Sequence, residues 1–145
     1  MKKHYDPRMH SAEHLLNRTM VRMFDCGRAF NAHIEKRKSK CDYAFSRDLT
    51  REEVTQLEAQ VNALIHADMP VTEEYLTREE TAARYDIQRL PEDTGDAVRI
   101  VHMGTYDACP CIGSHVASTG QIGHFQITSV GFTDGRLRIR FKLDN

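Results

Sequence analysis

Apolar positions recur at helical spacing in two stretches of the chain and alternate with polar ones near its end. Leu15, Leu16, Met20, Met23 and Phe24 trace one face of a helix. Asp6 is its expected N-cap, and Pro7 fills the first helical position, where a missing N–H costs nothing. Gly27 is the expected stop, because glycine enters the left-handed conformation that closes helices. Val54, Leu57, Val61, Leu64 and Ile65 mark a second helix, opened by a capping box of Thr50 and Glu53 and ended by Pro70. A further capping box, Thr77 with Glu80, predicts a short helix through about Arg84. Strands are expected around Ala29–Glu35 and Cys41–Phe45, and a buried strand over Val98–Met103. Phe125–Phe132 and Arg136–Leu143 should pair as a hairpin across Asp134-Gly135. This mixture predicts an α+β fold: a single two-layer domain over residues 1–145, an antiparallel sheet with helices packed on one face.

A chain of 145 residues is long enough to bury a core without disulfide staples. Its net charge of −1 argues against indiscriminate polyanion binding over the whole surface but leaves room for a local basic patch. Two such patches stand out. Arg136, Arg138, Arg140 and Lys142 alternate with Leu137, Ile139, Phe141 and Leu143, so a strand would put all four cations on one face. Lys36, Arg37 and Lys38, with Lys40, form a second cluster in a loop. Either could contact RNA phosphates; a solvated sheet face and a solubilising loop are the plainer alternatives. No apolar run approaches the roughly 20 residues that cross a bilayer, and the first residues lead into no apolar segment, so a cytoplasmic chain is expected. In that reducing setting the four cysteines (Cys26, Cys41, Cys109, Cys111) read as thiols or metal ligands rather than disulfides.

The chemistry concentrates in two short motifs. His10-Ser11-Ala12-Glu13-His14 lies on the first helix, where residues four apart share a face. Cys111-Ile112-Gly113-Ser114-His115 is the second; the run Cys109-Pro110 through His115 follows a strand, and its Pro, Gly and Ser suit a rigid loop. Three imidazoles and one thiolate are the donor set that one tetrahedral Zn²⁺ prefers.

His-x-x-x-His followed by Leu15-Leu16, then Cys-x-x-x-His, Val116, Thr119-Gly120-x-Ile122-Gly123 and Phe125-x-Ile127, resembles the editing domain of alanyl-tRNA synthetases. Free-standing relatives of that domain are the AlaX-type proteins, and threonyl-tRNA synthetases carry a related second additional domain. The likeness extends to Arg99-Ile100-Val101, to Glu58 through Asn62 and to Pro70-Val71, and so runs from about His10 to Phe141. It implies one zinc ion on His10, His14, Cys111 and His115. It also implies hydrolysis of mischarged tRNA bound by its acceptor end, usually serine or glycine on alanine tRNA. Gln121 stands where the family commonly has Glu, Ile112 and Ser114 replace Gly and Thr, Glu13 replaces a small or hydroxyl-bearing residue, and Cys109 is an additional thiol. These departures leave the four ligand positions intact and bear on the amino-acid preference.

Hydrolysing such an ester requires a polarised carbonyl, an activated water and a stabilised oxyanion. Glu13, between the two histidine directions, is the nearest candidate base, or else an exposed carboxylate paired with Arg18 or Asn17. Ser11, Ser114 and Thr119 could bind a substrate amine or hydroxyl, or cap backbone groups instead. Gly120 and Gln121 are further candidate substrate contacts, with Gly120 and Gly123 allowing either close approach of a ligand or a tight turn. Four protein ligands are also the usual mark of a structural zinc site, so a non-catalytic, zinc-stapled RNA- or protein-binding module is the second reading. A distant third is a His-x-x-Glu-His metallopeptidase with Glu13 as base, which leaves Cys111 and His115 without a role. Oligomeric state has no signature in the chain.

Overall fold

The computed structural model describes residues 6–85 and 97–144; His4, for which the sequence offers no motif, lies outside them. Helix α1 spans Pro7–Phe24, with the Asp6 carboxylate accepting from the N–H groups of Arg8 and Met9. It closes at Asp25, which takes the left-handed conformation (φ 52°) and donates its N–H to Val21. The expected stop at Gly27 is therefore corrected by two residues: a short aspartate side chain tolerates the left-handed region well enough to end the helix first. Helices α2 (Arg51–His66) and α3 (Arg78–Arg84) both begin with the reciprocal capping boxes that their sequences require.

Seven strands complete the described residues: β1 Asn31–Ile34, β2 Ser39–Ala44, β3 Val71–Thr77, β4 Ala97–Met103, β5 Asp107–Pro110, β6 His124–Thr133 and β7 Arg136–Asp144. All pair antiparallel, in a four-stranded sheet ordered β1-β2-β7-β6 and a three-stranded sheet ordered β3-β4-β5. The fold is α+β, as the sequence pattern predicts, with its strands divided between two sheets. At the β6–β7 turn, Asp134 (φ 49°) and Gly135 (φ 80°) are both left-handed, the conformation a two-residue hairpin turn demands.

One apolar core joins the layers. Leu15, Leu16 and Met20 of α1 and Leu57, Val61 and Ile65 of α2 pack with Cys41, Tyr43, Leu137, Ile139 and Phe141 of the larger sheet. Alternation then turns Arg136, Arg138, Arg140 and Lys142 to the sheet's other face. Side chains of α2 serve the open edge of β6: Asn62 donates to the Phe125 carbonyl and accepts its N–H, both at 2.8 Å, and the Ile127 N–H donates to Glu58 at 2.7 Å. The helix thus fixes β6, and with it the loop entering β6 from the site.

Candidate metal centre

Buried inward on α1, His10 and His14 are only 4% and 3% exposed. Between them Ser11 ties the helix to the second motif: the Val116 N–H donates to its hydroxyl at 3.1 Å, and the hydroxyl donates to the Pro7 carbonyl at 2.7 Å. The 111–115 loop is held from its other side by Arg99 of β4. That guanidinium donates from Nε to the Cys111 carbonyl at 2.9 Å and from Nη2 to the Gly113 carbonyl, while the Cys111 N–H donates back to the Arg99 carbonyl.

These anchors bring one donor atom from each of His10, His14, Cys111 and His115 within 4.8 Å of one another, a group that could hold a metal ion. His14 Nε2 lies 2.9 Å from His115 Nε2, and Cys111 Sγ lies 3.2 Å from His10 Nε2. Hydrogen-bond partners set the tautomers of two rings. His10 Nδ1 faces the Ser114 carbonyl at 3.2 Å, and His14 Nδ1 faces the Asp107 carboxylate at 3.3 Å. Both partners only accept, so each Nδ1 carries a proton and each Nε2 turns a lone pair into the cluster. Converging lone pairs and a thiolate repel unless a proton or a cation lies among them, which is the test a metal site must meet.

The electrostatics agree. Burial works against charge on His14, but the Cys109 sulfur and the Asp107 carboxylate outweigh it and raise its pKa well above the ordinary imidazole value. Burial pushes the Cys111 thiol up, yet hydrogen bonds from His10, His115 and His14 bring it down to about 2. His115 falls to about 4 through burial, against the pull of Cys111 and with repulsion from His14 and His10. A thiolate and a shared positive charge are therefore the favoured state of this cluster.

Glu13 sits beside it, its carboxylate 3.7 Å from His10 Nε2 and its side chain only 13% exposed. The alternative pairing with Arg18 or Asn17 is corrected: Arg18 reaches Asp107, and Asn17 accepts from Tyr43 and from the Ala29 N–H. Ser114 is exposed next to the cluster. Other expected substrate contacts have their polar groups engaged within the fold. Ser11 is fully buried with the bonds just described. Thr119, also fully buried, donates to the Leu64 carbonyl and accepts the Met69 N–H, both at 2.8 Å. The Gly120 N–H donates to Asp68, and a Cβ at Gly120 would collide with that carboxylate, so the close approach there is to the protein itself. Gln121 Oε1 accepts the Ala117 N–H.

Among the basic residues, Arg136, Arg140, Lys36, Arg37 and Lys38 are exposed and Lys142 half-buried. Arg138 is instead locked to Asp42 of β2 by two bonds of 2.8 and 3.0 Å. Two residues at the centre carried no predicted role: Arg99, present only within a stretch of family likeness, and Asp107, a buried acid with no motif around it.

Residues 98–139 match the family model described as the threonyl and alanyl tRNA synthetase second additional domain. The chain is 32% identical over 125 residues to an alanine–tRNA ligase of Idiomarina loihiensis, a match covering 86% of this chain and 14% of that protein. It is 34% identical over 134 residues to an alanine–tRNA ligase of Gluconobacter oxydans (83% of this chain, 15% of that protein). It is 33% identical over 138 residues to alanine–tRNA ligase 1 of Lachnoclostridium phytofermentans (90% and 15%). The chain thus spans only a seventh or so of the length of these curated relatives. The match over residues 98–139 and the identity to alanine–tRNA ligases over most of this chain show a domain related to the second additional domain of the alanyl-tRNA synthetases.

Proposed function

We propose that this chain is a single editing-type domain, a zinc-dependent hydrolase that removes a wrong amino acid from tRNA, with seryl- or glycyl-tRNA(Ala) as substrate. The observation that carries the reading is the convergence of three imidazole nitrogens and a thiolate on one point, in a chain related to alanine–tRNA ligases. His10, His14, Cys111 and His115 would hold the ion, which when bound supplies a Lewis acid beside the ester carbonyl. Glu13 takes a proton from the attacking water as its oxygen bonds to the carbonyl carbon. The ester C–O bond then breaks and the ribose hydroxyl leaves with a proton returned from Glu13. Ser114, exposed at the rim, meets the amino-acid side chain or amine. Arg136, Arg140 and Lys142, with Lys36, Arg37 and Lys38, meet tRNA phosphates. No described helix is long and apolar enough to cross a membrane, which accords with work in the cytoplasm beside the translation machinery.

The test is deacylation of Ser-tRNA(Ala), with Ala-tRNA(Ala) as control, by the native chain and by Cys111→Ala. Hydrolysis of the serylated tRNA alone, lost in a folded Cys111→Ala variant, is the expected result. Bound zinc without turnover of seryl- or glycyl-tRNA(Ala) would overturn it. The four-donor set favours one rival, a zinc-stapled binding module, which predicts metal-dependent folding and tRNA binding without turnover. The peptidase pattern fits less well, because Cys111 and His115 complete the described donor group and no carboxylate belongs to it.

A further inference from the structure

We infer that Asp107 is a positioning residue of the metal centre, a buried carboxylate that fixes the proton of His14 on Nδ1 and aims Nε2 at the ion; the inference rests on the metal-centre reading above. Asp107 opens β5, four residues before Cys111, and its side chain is fully buried. A carboxylate removed from water persists only if its charge is compensated and its oxygens are hydrogen-bonded. Arg28 donates to both oxygens, at 2.9 and 3.3 Å, and Arg18 donates through Nε at 3.2 Å. His14 Nδ1 completes the set at 3.3 Å.

Two guanidiniums are more than neutralisation of one carboxylate requires. Their effect is to hold Asp107 as a fixed anion with little tendency to take the His14 proton, so it orients the ring and keeps its tautomer. The three imidazoles of the centre are supported unequally. His14 leans on a clamped carboxylate and His10 on a neutral carbonyl, while His115 Nδ1 is buried with no hydrogen-bond partner among the described residues. A carboxylate partner makes an imidazole the more basic ligand, so His14 is the anchored member of the set and His115 the least restrained.

Two measurements on the full chain test this. Zn²⁺ affinity is measured by competition with a chromophoric chelator, and Co²⁺ absorption reports the geometry, for the native chain and for Asp107→Asn. The expected result is a loss of roughly 10- to 100-fold in Zn²⁺ affinity with an altered Co²⁺ spectrum. A folded Asp107→Asn chain with native affinity and spectrum would overturn the inference and leave the metal centre standing. A native chain that binds neither ion would overturn the centre and the inference together. The second measurement needs no variant: nitrogen NMR of the zinc-loaded native chain should find the His14 proton on Nδ1. A proton on Nε2, with Nδ1 on the metal, would refute the assigned role even if Asp107→Asn fails to fold.

Discussion

Arg99→Met should loosen the metal centre without touching a ligand. The Arg99 side chain is 20% exposed and makes charge-assisted bonds to the Cys111 and Gly113 carbonyls. Bonds to a charged group contribute about 1.5–3 kcal/mol each, and partial exposure discounts the pair to about 2–4 kcal/mol. Methionine keeps much of the packing volume and supplies no donor. Because the lost energy orders the segment that carries Cys111 and His115, it should appear mainly as weaker metal binding. At about 1.4 kcal/mol per decade, the expected loss is on the order of thirty- to several-hundred-fold in Zn²⁺ affinity. Arg99→Lys should recover little of it, since an ammonium cannot bridge two carbonyls as a planar fork does. Chelator competition measures the affinity, and urea unfolding of the metal-free chain measures the share that falls on the fold. A folded Arg99→Met chain binding Zn²⁺ within about threefold of native would refute the claim that this guanidinium holds the loop.

Asn62→Ala removes both partners of the Phe125 backbone groups, which at about 1–3 kcal/mol for each unsatisfied buried group should cost roughly 2–6 kcal/mol in urea unfolding, with hydrogen exchange rising first in β6. Asp42 has its pKa lowered, chiefly by the Arg138 hydrogen bond acting against desolvation. Its contribution should be complete above the ordinary aspartate value near pH ~4 and drain as pH falls through the lower folded value, so Asp42→Asn should flatten that part of the acid-unfolding curve. Arg140→Glu should weaken tRNA binding and reduce its salt dependence, whereas Arg138→Gln, removing a cation already held by Asp42, should lower stability and leave the salt dependence unchanged in filter-binding titrations.

Elements governed by local chemistry were legible in the chain. The capping boxes of α2 and α3 and the Asp134-Gly135 turn each satisfy their own backbone groups within a few residues, so short-range pattern suffices to find them. Strand β3 left no such trace. Thr72 through Tyr75 are exposed on an edge strand, and nothing buries alternate residues to create a period of two. Strand β5 was hidden for another reason: Cys109-Pro110 reads as the start of the loop and carries no strand pattern, and only pairing with β4 extends it. The two histidine motifs were visible as donor spacing, but their supports were not. Asp107 meets His14 across 93 positions of chain and Arg28 across 79, and a lone aspartate before a cysteine gives no hint of either. Conversely, Ser11 and Thr119 looked like substrate contacts because a hydroxyl's partners cannot be read from sequence; both hydroxyls are engaged with backbone groups.

Cys111 lies 101 positions from His10, and His115 lies 101 from His14. An ion shared among them would close a loop of that length, as a disulfide does but reversibly and without an oxidant. In the chain-entropy picture, a cross-link spanning about 100 residues removes some 4–5 kcal/mol of freedom from the unfolded chain, comparable with the whole margin of many domains. Because the link depends on free ion rather than on redox state, zinc supply would govern how long the protein survives as well as how fast it works. Depletion would silence the site and hand the unlinked chain to proteases in the same step.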